Sequence, residues 1–138
     1  TSWGARPTKS SDIITLHVPL TAQTKNMITR KEINSMKDDV YLINTARGGI
    51  INEEDLSIAL KDCKIAGAAI DVFEDEPYHG DLTKYDTCVL TSHMGSMSID
   101  CRTKMEIEAT EEAVRFILEG VQENAVPNVE YEVQREGL

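Results

Sequence analysis

Apolar positions along this chain fall into two alternating rhythms. Ile13-Ile14-Thr15-Leu16-His17-Val18, Val40-Tyr41-Leu42-Ile43, Ile65-Ala66-Gly67-Ala68-Ala69-Ile70 and Thr87-Cys88-Val89-Leu90-Thr91 are short runs of β-branched and small residues bounded by turn formers. Such runs mark buried strands, predicted here over 12–18, 39–44, about 65–71 and 87–91. Between them stand helix-start signals. Thr29-Arg30-Lys31-Glu32 has capping-box spacing, and Asn52-Glu53-Glu54-Asp55 offers an N-cap followed by first-turn acids. A longer helix is predicted from about Ser98 to Glu119, ended by Gly120, with Met105, Ala109, Ala113 and Phe116 or Ile117 on one face. That stripe is expected to be core. Strands alternating with helices imply an α/β fold with a parallel sheet and right-handed crossovers.

Chemistry-bearing residues stand at the ends of three successive strands. Leu42-Ile43-Asn44-Thr45-Ala46-Arg47-Gly48-Gly49 takes a strand into an arginine and two glycines, a pair that permits a tight turn or a close approach to a ligand. Asp71-Val72-Phe73-Glu74-Asp75-Glu76-Pro77 leaves the next strand as an acidic loop, and Ser92-His93-Met94-Gly95-Ser96 leaves the one after. In a parallel sheet these ends share one edge, so Arg47, Glu76 and His93 can converge on one crevice.

Those segments, with Ser11-Asp12-Ile13-Ile14-Thr15-Leu16-His17-Val18-Pro19-Leu20-Thr21, run collinearly over roughly residues 10 to 128. In that order they resemble the cofactor-binding domain of the D-isomer-specific 2-hydroxyacid dehydrogenases, which include D-lactate, glycerate, formate and phosphoglycerate dehydrogenases. The resemblance implies that Arg47 binds the substrate carboxylate and carbonyl oxygen, that His93 is the acid/base, and that Glu76 orients and charges it. It further implies that Asp71 faces the nicotinamide carboxamide and that Val18, Thr24, Thr45, Ala46 and Gly95, beside Arg47 and His93, line the cofactor. Ser92 stands where many relatives have proline. His17 is read as shaping the cofactor pocket, and His79 as a loop residue.

The implied reaction needs these residue types. Reducing a 2-keto acid delivers hydride to the carbonyl carbon and a proton to its oxygen, and a protonated imidazole supplies that proton near neutral pH. An arginine fork holds a carboxylate through two charge-assisted hydrogen bonds and polarises the adjacent carbonyl. The hydride is the nicotinamide's, because no side chain carries one.

Composition narrows the alternatives. Fourteen basic against 24 acidic residues give a net charge of -10, which disfavours nucleic acid as a partner. Cys63, Cys88 and Cys101 make an odd number without a Cys-x-x-Cys pair, so neither a disulfide framework nor a metal site is expected, and the thiols are expected to be reduced and mostly buried. No signal-peptide pattern or long apolar run suggests secretion or a membrane partner, and a cytoplasmic location is the expectation. With 41% hydrophobic residues in 138, there is enough for one core.

None of the 8 glycines forms Gly-x-Gly-x-x-Gly, the pyrophosphate loop that a doubly wound dinucleotide fold keeps in its first half. The expectation is therefore a partial doubly wound, Rossmann-like sheet, the second half only: a non-matching segment 1–10, the half-domain with its return helix over 11–128, and a mobile tail over 129–138. Such a piece is expected to be inactive alone. NAD is the expected cofactor with NADP open, since the choice is made after the second strand of the first half. The small-molecule partner is a 2-keto or 2-hydroxy acid. An uncovered edge along Asp12 to Val18 is expected to make a homo-oligomer through strand pairing or exchange of the long helix. A second functional class stays open: a non-catalytic module of this fold that senses a dinucleotide or docks a partner, as corepressors resembling the family do.

Overall fold

In a computed structural model of the protein, residues 9–125 are described. Most of the segment 1–10 and all of the tail 129–138 thus lie outside the described residues. Four strands, β1 (Ile13–Leu16), β2 (Tyr41–Asn44), β3 (Gly67–Ile70) and β4 (Cys88–Leu90), form one sheet in the order β1-β2-β3-β4. All neighbours are parallel, with Ile14 opposite Leu42, Leu42 opposite Ala68, and Ala68 opposite Cys88. The α/β parallel sheet is as expected, with each strand shorter than the span predicted for it, though β2 ends at the predicted residue.

Helices α1 (Arg30–Asn34) and α2 (Glu53–Lys61) make the first two crossovers, and a 3₁₀ turn over Asp81–Lys84 precedes β4. At the start of α1, Glu32 reaches back to the Thr29 N–H at 3.1 Å and takes the Thr29 hydroxyl proton at 2.6 Å. Asn52 accepts the Asp55 N–H at 2.9 Å, capping α2 as its sequence suggested.

Successive parallel strands that always step the same way, with crossovers of one hand, put their helices on one face. The burial pattern follows. Ile14, Leu16, Leu42, Ala68 and Ile70 pack with Ile28, Ile33, Ile50, Leu56, Leu60 and Leu82 in one core, where each fully buried leucine or isoleucine contributes roughly 1.5–3 kcal/mol. The alternate positions face away, and Ile13, Tyr41 and Val89 are 62%, 53% and 62% exposed. Strand β1 ends the sheet, so among the described residues its outer edge has no neighbour.

Two expectations fail on burial. Helix α3 (Ile99–Glu119) starts and stops where predicted, with Ser98 accepting the Cys101 N–H and Gly120 left-handed at φ 70°. None of its residues is buried: Met105, Phe116 and Ile117 are exposed, as are Ala109 and Ala113. Periodicity reports that a face is apolar, not that the same chain supplies its cover. The thiols are free, yet Cys63 and Cys101 are exposed, and only Cys88 is partly covered. Cys63 occupies the left-handed turn after α2, at φ 53°, and Cys101 rides on α3.

Candidate active site

Each candidate side chain leaves the carboxyl end of a strand, where residues must abandon the sheet ladder and find other partners for their backbone groups. After β2, the buried Asn44 closes the turn: its Nδ2 donates to the Arg47 carbonyl at 2.9 Å and its Oδ1 accepts the Ala46 N–H at 3.1 Å. Arg47 is exposed, and its Nη1 donates to the Ala46 carbonyl at 2.7 Å. Gly49 takes φ 77°, which only glycine adopts at little cost. Gly48 is required for space, since a Cβ there would lie 1.9 Å from the Phe73 carbonyl oxygen. The close approach is to the neighbouring loop.

That neighbouring loop carries Glu76. Its Oε1 accepts the Phe73 N–H at 3.0 Å, and its Oε2 lies 3.0 Å from His93 Nδ1. The Phe73 amide, then the His93 ring, hold the Glu76 carboxyl below the usual carboxylate range. A carboxylate only accepts, so Nδ1 is the donor and Nε2 is the nitrogen left to give up or take on a proton. The Phe73 and Tyr78 rings stack 4.2 Å apart beside this loop.

His93 sits at φ 52°, a region that costs a non-glycine residue roughly 1–2 kcal/mol. Asp71 holds it there. The Asp71 carbonyl accepts the His93 N–H at 2.8 Å, and its carboxylate takes the Met94 N–H at 2.9 and 3.1 Å and the Thr91 hydroxyl at 2.5 Å. Burial works against the charged form of Asp71, but the Thr91 hydroxyl and the Met94 amide outweigh it and hold the carboxyl below its ordinary value.

The three loops enclose an open cleft of about 440 Å³ lined by Leu20, Lys25, Arg47, Gly48, Gly49, Phe73, Glu74, Glu76 and His93. Arg47, Glu76 and His93 are thus brought together. A second hollow of about 520 Å³ adjoins it across Arg47, lined by His17, Val18, Pro19, Leu20, Thr45 and Ala46. Thr24 lines neither, its hydroxyl being engaged by the Pro19 carbonyl at 2.6 Å and the Thr21 N–H at 2.7 Å. Gly95 lies on the exposed loop after His93, and a Cβ added there would touch nothing within 4 Å. Sequence reasoning missed Asn44, Thr91 and Lys25. Asn44 had a signal, a lone amide ending an apolar strand; the other two had none.

Of the residues expected to line a dinucleotide, Val18, Thr45, Ala46 and Arg47 border the second hollow and His93 the cleft, whereas Asp71 and Gly95 border neither. Without Gly-x-Gly-x-x-Gly in the sequence, the residues present do not fit its pyrophosphate. Among the described residues there is no cluster of three metal-ligating side chains, and no helix is long and apolar enough to cross a membrane.

Comparison with known proteins agrees with the α/β fold. Residues 6–95 match the family model described as D-isomer specific 2-hydroxyacid dehydrogenase, NAD binding domain. The chain is 43% identical over 124 residues to glyoxylate reductase of Thermofilum pendens, covering 88% of this chain and 36% of that protein. The NADPH-dependent glyoxylate/hydroxypyruvate reductase of Sinorhizobium meliloti, in complex with NADP and malonate, superposes with a TM-score of 0.85 at 28% identity, covering 88% of this chain and 39% of that one. The NAD-complexed D-isomer specific 2-hydroxyacid dehydrogenase of Lactobacillus delbrueckii ssp. bulgaricus gives 0.80 at 29%, covering 90% of this chain and 42% of that one. The chain therefore spans little more than a third of such relatives.

Proposed function

The chain belongs to the D-isomer specific 2-hydroxyacid dehydrogenases, as part of their NAD(P)-binding domain, and from that premise we propose that it carries the catalytic half of an oxidoreductase acting on 2-keto and D-2-hydroxy acids. The observation that carries this reading is the hydrogen-bonded His93–Glu76 pair opening on the same cleft as Arg47. Arg47 binds the substrate carboxylate with its planar fork and polarises the neighbouring carbonyl. His93 gives the carbonyl oxygen its proton from Nε2, and Glu76, anchored on the Phe73 amide, keeps Nδ1 protonated and the ring aimed. A bound nicotinamide cofactor supplies the hydride.

Val18, Thr45 and Ala46 line the cofactor's hollow, Gly95 approaches the cofactor from the loop after His93, and Thr24 acts indirectly by holding the loop at Pro19. Asp71 faces the carboxamide through what its oxygens leave spare after Thr91 and Met94, a carboxylate having about four acceptor sites. The pyrophosphate loop and a separate substrate domain come from outside these 138 residues, so the chain by itself is inactive. The enzyme works as a homo-oligomer in the cytoplasm, without nucleic acid or membrane.

The test is turnover by a complete protein containing this chain. Oxidation of NADH or NADPH is followed with glyoxylate, pyruvate and hydroxypyruvate. His93→Ala is expected to lose roughly 10² to 10⁴ in kcat while cofactor binding survives. Tight cofactor binding with no turnover of any 2-keto acid would refute the enzyme and favour a dinucleotide sensor.

A further inference from the structure

Resting on the reading of Arg47 as the carboxylate clamp, we propose that Asn44 is its positioning residue. The buried amide of Asn44 closes the hydrogen-bonded turn that aims the guanidinium.

Asn44 ends β2 with 2% of its surface exposed. A primary amide at that depth must find partners for its carbonyl and its NH₂. Both partners lie in the loop that bears Arg47. Oδ1 takes the Ala46 N–H at 3.1 Å, and Nδ2 donates to the Arg47 carbonyl at 2.9 Å. The Ala46 carbonyl in turn accepts Arg47 Nη1 at 2.7 Å. One amide thus fixes the peptides on either side of the one whose carbonyl, that of Ala46, carries the hydrogen bond to the fork. The main chain of Asn44 extends the restraint sideways: its carbonyl accepts the Asp71 N–H at 3.0 Å, and the Asp71 carbonyl accepts that of His93 at 2.8 Å. The arginine and histidine loops are therefore referred to the same strand ends.

No other side chain of this length offers a donor and an acceptor on one plane. Aspartate keeps the acceptor for Ala46 and, when ionised, sets a second acceptor against the Arg47 carbonyl. Alanine removes both hydrogen bonds and leaves two loop groups to find water. An arginine side chain has many rotamers of similar energy, so a turn that wanders lets the fork wander with it. Displacement of a reacting or clamping group by 1 Å costs on the order of 10²-fold in rate.

The test is a double-mutant cycle in a complete protein containing this chain, with the best substrate among glyoxylate, pyruvate and hydroxypyruvate as the probe. Asn44→Ala is expected to lower kcat/KM for the keto acid on the order of 10²-fold, chiefly through KM, with the KM for the nicotinamide cofactor changed by less than about twofold. In an Arg47→Lys background, where the fork is gone, Asn44→Ala is expected to cost no more than about twofold further. Losses that multiply across the cycle, or a cofactor KM that rises as much as that of the keto acid, would overturn the proposal. If Asn44→Ala does not fold, Asn44→Asp, which keeps the volume and the Ala46 acceptor, takes its place with the same outcomes. An Arg47→Lys enzyme of near-normal kcat/KM would sink the clamp itself, a failure separate from that of the cycle.

Discussion

Replacing Gly48 by alanine adds one methyl group where the structure has least room for it. An ideal Cβ would stand 1.9 Å from the Phe73 carbonyl oxygen, 2.1 Å from its carbon and 2.6 Å from the Glu74 nitrogen. All three are backbone atoms, so no rotamer change relieves the overlap. Restoring an ordinary contact of 3.4 Å to the oxygen requires the two loops to part by about 1.5 Å. Overpacking of this kind costs about 1–3 kcal/mol. At about 2.1 cal/mol/K of unfolding entropy per residue, 138 residues give a Tm lowered by about 3–10 °C. Since the Phe73 N–H anchors Glu76, the displaced loop also carries the acid/base pair away from Arg47. In a complete protein, kcat/KM is expected to fall on the order of 10²-fold. The assays are thermal unfolding by far-ultraviolet circular dichroism for the chain and steady-state kinetics for the complete protein. Gly95→Ala is the control, because a Cβ there meets nothing within 4 Å, and its stability should stay within about 0.5 kcal/mol of the parent. A Gly48→Ala protein melting within a degree of the Gly95→Ala control would refute the close contact between the loops.

Other outcomes follow from the same geometry. Glu76→Gln should lower kcat for keto-acid reduction, since the carboxylate that holds His93 Nδ1 is lost; an unchanged kcat would make Glu76 a loop residue only. The Asp71 carboxyl is held below 3.8, where an ordinary one titrates, so its contribution is complete above that value and is lost as pH falls through the lower, folded one. Urea unfolding should therefore find Asp71→Asn less stable than the parent by a constant margin above about pH 5, with the gap closing below about pH 4; a margin independent of pH would contradict this. The 138-residue chain, with the outer edge of β1 unpaired among the described residues and Ile13, Tyr41 and Val89 exposed, should run as a dimer or larger assembly in light scattering at tens of micromolar, and a compact monomer would show that it closes its own edge.

The elements of this protein are set by local sequence. Runs such as Ile13-Ile14-Thr15-Leu16 and Tyr41-Leu42-Ile43 have no stable alternative to a strand, and Asn52 and Ser98 cap helices that start immediately after them, because capping is an interaction over three residues. Alternation of strand and helix then constrains the sheet to be parallel, which places Arg47, Glu76 and His93 at one edge before any coordinate is known. Tertiary structure decided what depends on distance between loops. That Gly48 is reserved for the Phe73 carbonyl, that Thr91 and Asp71 hold His93 left-handed, and that the Asn44 amide closes on the Arg47 carbonyl are contacts that the local sequence on either side does not specify. Burial was the other such matter. The stripe along α3 has the right period for a core, but period is a property of one helix, whereas burial requires a second surface, and only the assembled fold specifies whether one is there.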